Sequence, residues 1–279
     1  MVAVTLMWSI AGVVTRRLDA ARSFELTFWR SAFNAAALVP LLLWLRGPAA
    51  LVRGLRAGGL TLWASGVCWC VMYTAFMVAL TLTTVANVLV TMALAPLFTA
   101  LLARTVLGQR LAPRTWGAIV VAGVGIGWMY GSQLDGGSAL VGSAVALAVP
   151  VAAAVNWVLL QHHRGGGDLL PAVAIGAVLS ALLTLPLALP FAASAHDVAL
   201  LAFLGTVQLA IPCLLAVTAA RALSAPEVAL LSLLEVVFGV AWAWAGAGEA
   251  PTVPVIGGGL LVLGALVANE AVGLRRAAA

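Results

Sequence analysis

A single carboxylate, Glu235, stands inside LLSLLEVVFGVAWAWAG (230–246), a stretch otherwise made almost wholly of hydrocarbon and indole. An ionised acid among such neighbours is costly unless it is wet, paired or protonated. It must therefore face the interior of the structure. Two roles remain open: a proton site or partner for a substrate ammonium in a cavity, and a neutral acid hydrogen-bonded to a neighbouring helix.

Aromatic and amide side chains supply the other chemistry. Trp69, Tyr73 and Phe76 follow i, i+4, i+7 spacing with Met72 beside them, so they share one face of a helix. Such a stripe either packs or walls a cavity, and the Tyr73 hydroxyl is costly in hydrocarbon without a partner. Trp8 and Trp157 also lie mid-segment, away from the interfacial belt where Trp44, Trp63, Trp116 and Trp128 are expected. Asn87 and Thr91 share a face, Asn156 adjoins Trp157, and Gln208 stands alone in its segment. Each serves as interhelix glue or as a contact for a polar solute. Arg30 is placed a turn or so from the end of its segment and is expected to snorkel to the head groups.

Other chemistries are missing. The chain has no G-x-S-x-G, no H-E-x-x-H, no P-loop and no second deep carboxylate to pair with Glu235, so it reads as neither a membrane enzyme nor an ATP-driven pump. No cofactor or metal is implied: His162 and His163 sit in a polar loop, and Cys68, Cys70 and Cys213 are small core residues of apolar runs.

The elements that must position these groups follow from composition. With 64% hydrophobic and 8% charged residues and a mean hydropathy of +1.14, the chain is an integral membrane protein. Its basic residues are all arginine, scattered over short loops rather than gathered in a stripe, which argues against a nucleic-acid partner. Ten apolar runs are expected to span the bilayer: 2–17, 26–45, 58–80, 84–107, 115–131, 138–160, 169–191, 198–221, 225–246 and 251–273. The first is short and the fifth marginal, and the first is taken as a spanning helix rather than a cleaved leader. One membrane domain fills residues 1–279. With the amino terminus inside, ten of the fourteen arginines are cytoplasmic, so both termini are expected there, while Arg16, Arg17, Arg22 and Arg30 dissent and Asp19, Glu25, Asp135, Asp197 and Glu249 fall outside. Pro96, Pro150 and Pro212 stand inside runs and cannot bond back to the carbonyls of Met92, Ala146 and Gln208; a bend is expected, with coordination of a polar substrate head group by those oxygens as the alternative.

The chain also repeats. Residues 94–126 and 233–267 share an aromatic-bearing helix, a Gly turn followed by Gln109 or Glu249, and a Gly-punctuated helix, at an offset of 140. Five helices per half (1–133 and 138–279) force the second half to insert upside down, a recurrent plan for transporters with a site near the midplane. Gly123, Gly127 and Gly131, with Gly257 to Gly259 and Gly264, are expected to let the fifth and tenth helices pack closely.

WSIAGVV (8–14), FWRSAFNAAALVPLLL (28–43), Ala79-Leu80, LAPLFTALLA (94–103) and LLEVVFG (233–239) resemble the drug/metabolite transporter superfamily, specifically its ten-helix EamA-type exporters. The second half departs from the pattern in reading Leu234-Glu235-Val236 where the family has Leu-Glu-Pro, and Gln109 replaces a common acid. The resemblance implies an all-α fold of two inverted five-helix repeats. The first, third, fourth, sixth, eighth and ninth helices surround a cavity, with the fifth and tenth outside as a scaffold.

The expected function is secondary or facilitative export of small metabolites, and the pattern looks closest to the bacterial aromatic amino acid exporters of that family. A flippase for a lipid or isoprenoid-linked carrier is the alternative. The expected substrate-contacting set is Trp8, Trp69, Met72, Tyr73, Phe76, Asn87, Thr91, Asn156, Trp157, Gln208 and Glu235. The expected partners are a small-molecule substrate and the lipid bilayer, with a monomer as the working unit in a bacterial inner membrane.

Overall fold

The computed structural model describes residues 1–15, 17–19, 23–83, 85–131, 140–163, 168–247 and 252–277, and every regular element among them is helical. The first run is split into α1 (Val2–Trp8) and α2 (Ala11–Thr15), and the second is α3 (Ser23–Arg46). A short α4 (Pro48–Ala57) leads to α5 (Gly59–Leu82). The fourth run is split into α6 (Val85–Met92) and α7 (Ala95–Val106), and α8 (Pro113–Tyr130) follows. The second half contains α9 (Leu140–His162), α10 (Pro171–Ala188), α11 (Ala195–Phe203), a π-helical turn Leu204–Ala210, α12 (Ile211–Ala219), α13 (Ala225–Ser232), α14 (Leu234–Ala247) and α15 (Val253–Ala277).

Among the described residues, seven stretches are long and apolar enough to cross a membrane, against the ten expected. The difference falls on the first, fifth and tenth runs. Val2–Thr15 and Val253–Asn269 are apolar but shorter, and α8 opens on Pro113-Arg114-Thr115 and is diluted by glycine. The chain is a multi-pass membrane protein. Asp135, Glu249, Arg16, Arg22 and Arg164, which bear on the expected orientation and repeat, lie outside the described residues, as do the side chains of Arg275 and Arg276.

Residues 48–57, expected as a loop, are helical. Gly47 takes a positive φ of 73° to turn the chain sharply out of α3, and Pro48 sits at the first helical position. Leu51 and Leu55, one turn apart, rest on the main core while no α4 residue is fully buried. Arg53 and Arg56 occupy its remaining surface, the pattern of a helix lying in the membrane interface.

Helices α8 and α15 pair closely and antiparallel: Thr115 donates to Asn269 Oδ1 at 3.2 Å, and further along Gly125 meets Gly258 and Trp128 covers Gly257. The expected stripe of Gly123, Gly127 and Gly131 is not the seam, since a side chain at any of the three would enter open space; the same holds for Gly259 and Gly264. The buried face is instead Ala118, Ala122, Gly125, Ile126 and Met129. A Cβ on Gly125 would come to 2.7 Å from the Gly258 carbonyl oxygen. Gly125→Leu is therefore expected to lower stability by about 3 kcal/mol or more through overpacking, and Gly127→Leu by less than about 0.5 kcal/mol. Thermal melting of the two purified variants checks this, and equal melting points would contradict the seam.

The helices that frame the centre are tied at both ends. At one end the Glu25 carboxylate, 1% exposed, accepts the backbone N–H groups of Ala192 (3.0 Å) and Ala193 (2.8 Å) just beyond α10. Beside it Asp197 caps α11 in a capping box with Ser194 and accepts the Asp19 N–H at 2.9 Å. At the other end Asp168, before α10, pairs with Arg46 at the end of α3 and with Arg221 beyond α12 at 2.7 Å. Midway, Ser180 of α10 bonds Ser31 of α3 (2.8 Å) and Thr74 of α5 (2.9 Å), a hydroxyl junction of three helices.

Candidate functional site

Four helix interruptions surround the centre of the molecule. The α1/α2 break frees the Trp8 carbonyl, which accepts from Gln208 Nε2 at 2.9 Å. The α6/α7 break at Ala93-Leu94 precedes Pro96, so Pro96 begins a new helix rather than bending a continuous one. The α13/α14 break at Leu233 has no such proline, yet its backbone closes in the same way: Leu94 N–H bonds the Thr91 carbonyl and Leu233 N–H the Leu230 carbonyl, both at 3.1 Å. The π-turn lies just before Pro212, which lacks an N–H and would crowd the Gln208 carbonyl in a regular helix; the wider turn relieves that crowding. Of the three prolines expected to bend their runs, only Pro150 stands within an unbroken helix, α9.

These interruptions border a cavity of about 130 Å³. Of the expected contacts, Trp8, Trp69, Met72, Tyr73, Phe76, Trp157, Gln208 and Glu235 line it. The Trp69 ring lies 5.6 Å from Tyr73 and 5.8 Å, edge to face, from Trp157, forming an aromatic corner. Asn156 is not in the wall: it accepts from Ser65 at 2.6 Å and joins α9 to α5. Thr91 is half-buried outside the wall, where Leu89 and Met92 of its helix line instead. The Asn87 side chain lies outside the described residues.

Glu235 occupies the second position of α14, where the positive end of the helix dipole favours a carboxylate. It is half-buried and, among the described residues, has no hydrogen-bond or ion-pair partner. The group nearest in electrostatic influence is Arg30.

Arg30 overturns its expected role. It does not snorkel: it is 5% exposed, lines the cavity, donates from Nη2 to Gln208 Oε1 at 3.0 Å and lies 6.0 Å from the Phe76 ring centre. The reason lies at the start of α3, which begins at Ser23 instead of 26, so Arg30 is seven residues in, about 10 Å along the axis. Glu25, expected in the outer loop, is folded into the first turn because its carboxylate caps the amides beyond α10. A deep basic residue in an apolar run was the available signal.

Sequence reading also missed Asn34, fully buried beside this site with neither amide atom bonded among the described residues. The Tyr73 hydroxyl lies near the Asn34 amide and the Cys213 thiol but makes no well-aligned bond, and the indole nitrogens of Trp8 and Trp69 and the Arg30 Nε are likewise buried and unbonded among the described residues. Unpaired polar atoms of α1, α3 and α5 thus gather at the site, and among the described residues Glu235 is the one carboxylate that lines the cavity. Elsewhere, Asp19, His196 and Asp197 approach one another, but Asp197 is already committed to the Asp19 and Ser194 amides, so a helix cap accounts for it.

Residues 1–131 match the EamA-like transporter family. That match points to a small-molecule transporter rather than an enzyme. The fold of the whole chain is that of a solved crystal structure of a protein with a TM-score of 0.81 and 19% identity, covering 99% of this chain and 96% of that one. No curated protein matches the chain.

Proposed function

We propose that the chain is an EamA-type secondary or facilitative exporter of small metabolites, with aromatic or other apolar amino acids as cargo. The cavity carries the reading: aromatic rings and Met72 suit an apolar side chain, while Arg30 and Glu235 offer opposite charges to the two ends of a zwitterion. Its volume of about 130 Å³ has room for several waters.

Alternating access between two inverted halves is supported by the contact pattern. Exchanging each run for the one five further on turns the α5–α10 contact into that of the π-turn with α3, and α5–α9 into α12–α1. It leaves α8–α15 and α7–α13 on themselves. The breaks at 93–94 and 233 keep the same offset of about 140 as the sequence repeat, which makes Ala95 the counterpart of Glu235, and both line the cavity. Discontinuous helices bordering a central site are what such transporters use. Orientation is proposed as both termini cytoplasmic in a bacterial inner membrane, on the arginine bias of the loops.

Counterflow in reconstituted vesicles tests the reading. Vesicles preloaded with unlabelled phenylalanine, tyrosine or tryptophan are expected to accumulate the labelled amino acid, and protein-free vesicles are not. Failure of all three to exchange would refute the cargo class, and a flippase would ignore soluble amino acids altogether.

A further inference from the structure

We propose that Arg30 is the anchor for a carboxylate on the cargo, and that Gln208, presented by the π-helical turn, is the residue that positions it. The proposal rests on the cavity being the transport site.

A guanidinium brings five N–H donors and a permanent charge. Among the described residues only Nη2 is bonded, to the neutral Gln208 amide; Nε is buried without a partner and no carboxylate pairs with Arg30. The carboxylates that tie the ends of α3, Glu25 and Asp168, are both engaged elsewhere. A buried cation so placed is costly, and an anionic group arriving in the cavity relieves that cost through a charge-assisted hydrogen bond.

Gln208 has the geometry of a clamp. Its Oε1 accepts from Arg30 while its Nε2 donates to the Trp8 carbonyl, so both ends of the amide are used and its orientation is set. The π-turn carries this amide tight against α3, since a Cβ on Gly205 would meet the Arg30 carbonyl oxygen at 2.6 Å. Phe76 beneath the guanidinium and Gln208 at its edge leave the cavity side for cargo. Glu235, on the same cavity, then takes the other end of a zwitterion.

The test uses the purified full chain, whose cavity tryptophans report binding by fluorescence, and three probes sharing one ring: phenylalanine, 3-phenylpropionate and 2-phenylethylamine. Arg30→Gln is expected to weaken the two carboxylates roughly ten- to a hundredfold and to leave the amine within about twofold. Arg30→Lys, which keeps the charge, should restore part of the loss. Gln208→Leu should weaken the carboxylates by roughly three- to tenfold without affecting the amine, a split that a merely structural role would not produce.

The anchor is overturned if the parent chain binds neither carboxylate, or if Arg30→Gln binds all three probes as the parent does or weakens all three equally. It is also overturned if Arg30→Gln only tightens the amine, as expected of a simple counter-charge to Glu235. Arg30-dependent binding of 3-phenylpropionate with no binding of phenylalanine would keep the anchor and reject amino acids as cargo. Phenylalanine counterflow that survives Arg30→Gln unchanged would do the reverse.

Discussion

Glu235→Gln is expected to reduce phenylalanine counterflow roughly ten- to a hundredfold, the loss of one charge-assisted hydrogen bond to a substrate ammonium. The amide has the size of the acid, so the aromatic corner and the cavity volume are retained. What disappears is the negative charge at the second position of α14, the one carboxylate in the cavity wall and one without a protein partner among the described residues. The same substitution separates the two roles open for this acid. If Glu235 holds the ammonium, exchange itself fails. If it carries a proton, exchange between preloaded vesicles persists while uptake driven by a pH gradient is lost. An unchanged rate and unchanged pH dependence would remove Glu235 from the mechanism.

Gly205→Leu is expected to be severely damaging beside the cavity, lowering stability by about 3 kcal/mol or more. The π-turn touches α3 through backbone: a Cβ at this position would stand 2.6 Å from the Arg30 oxygen, 2.7 Å from Phe33 Cβ and 2.9 Å from the Asn34 nitrogen. A backbone wall cannot swing aside as a side-chain tip can. The turn must retreat, and the 3.0 Å bond from Arg30 to Gln208 goes with it. Melting in detergent, compared with Gly117→Leu on an open surface of α8, gives the measurement. A Gly205→Leu protein as stable as the control would contradict this close approach.

Some of this molecule is written locally. Bilayer-length apolar runs follow from hydropathy because a segment in lipid must satisfy its own backbone, and helix is the local way to do so. Trp69, Tyr73 and Phe76 lie together on one face of α5, as their i, i+4, i+7 spacing requires, and that face lines the cavity.

Other features depend on what a helix meets. In α8 the sequence offers two small-residue stripes, Gly123-Gly127-Gly131 and Ala118-Ala122-Gly125, and only docking against α15 selects the second. Asn156 and Gln208 are alike in sequence as lone amides, yet Ser65 claims the first and Arg30 with Trp8 the second. Arg30 itself moved from rim to cavity because Glu25 found backbone amides 167 and 168 residues away, extending α3 outward by a turn. Spacing determines which residues share a face, since that is geometry within one helix. Which face is buried, and how deep a charge lies, is decided by partners distant in the chain, because burying a charge or a bare backbone contact is favourable only where another segment satisfies it.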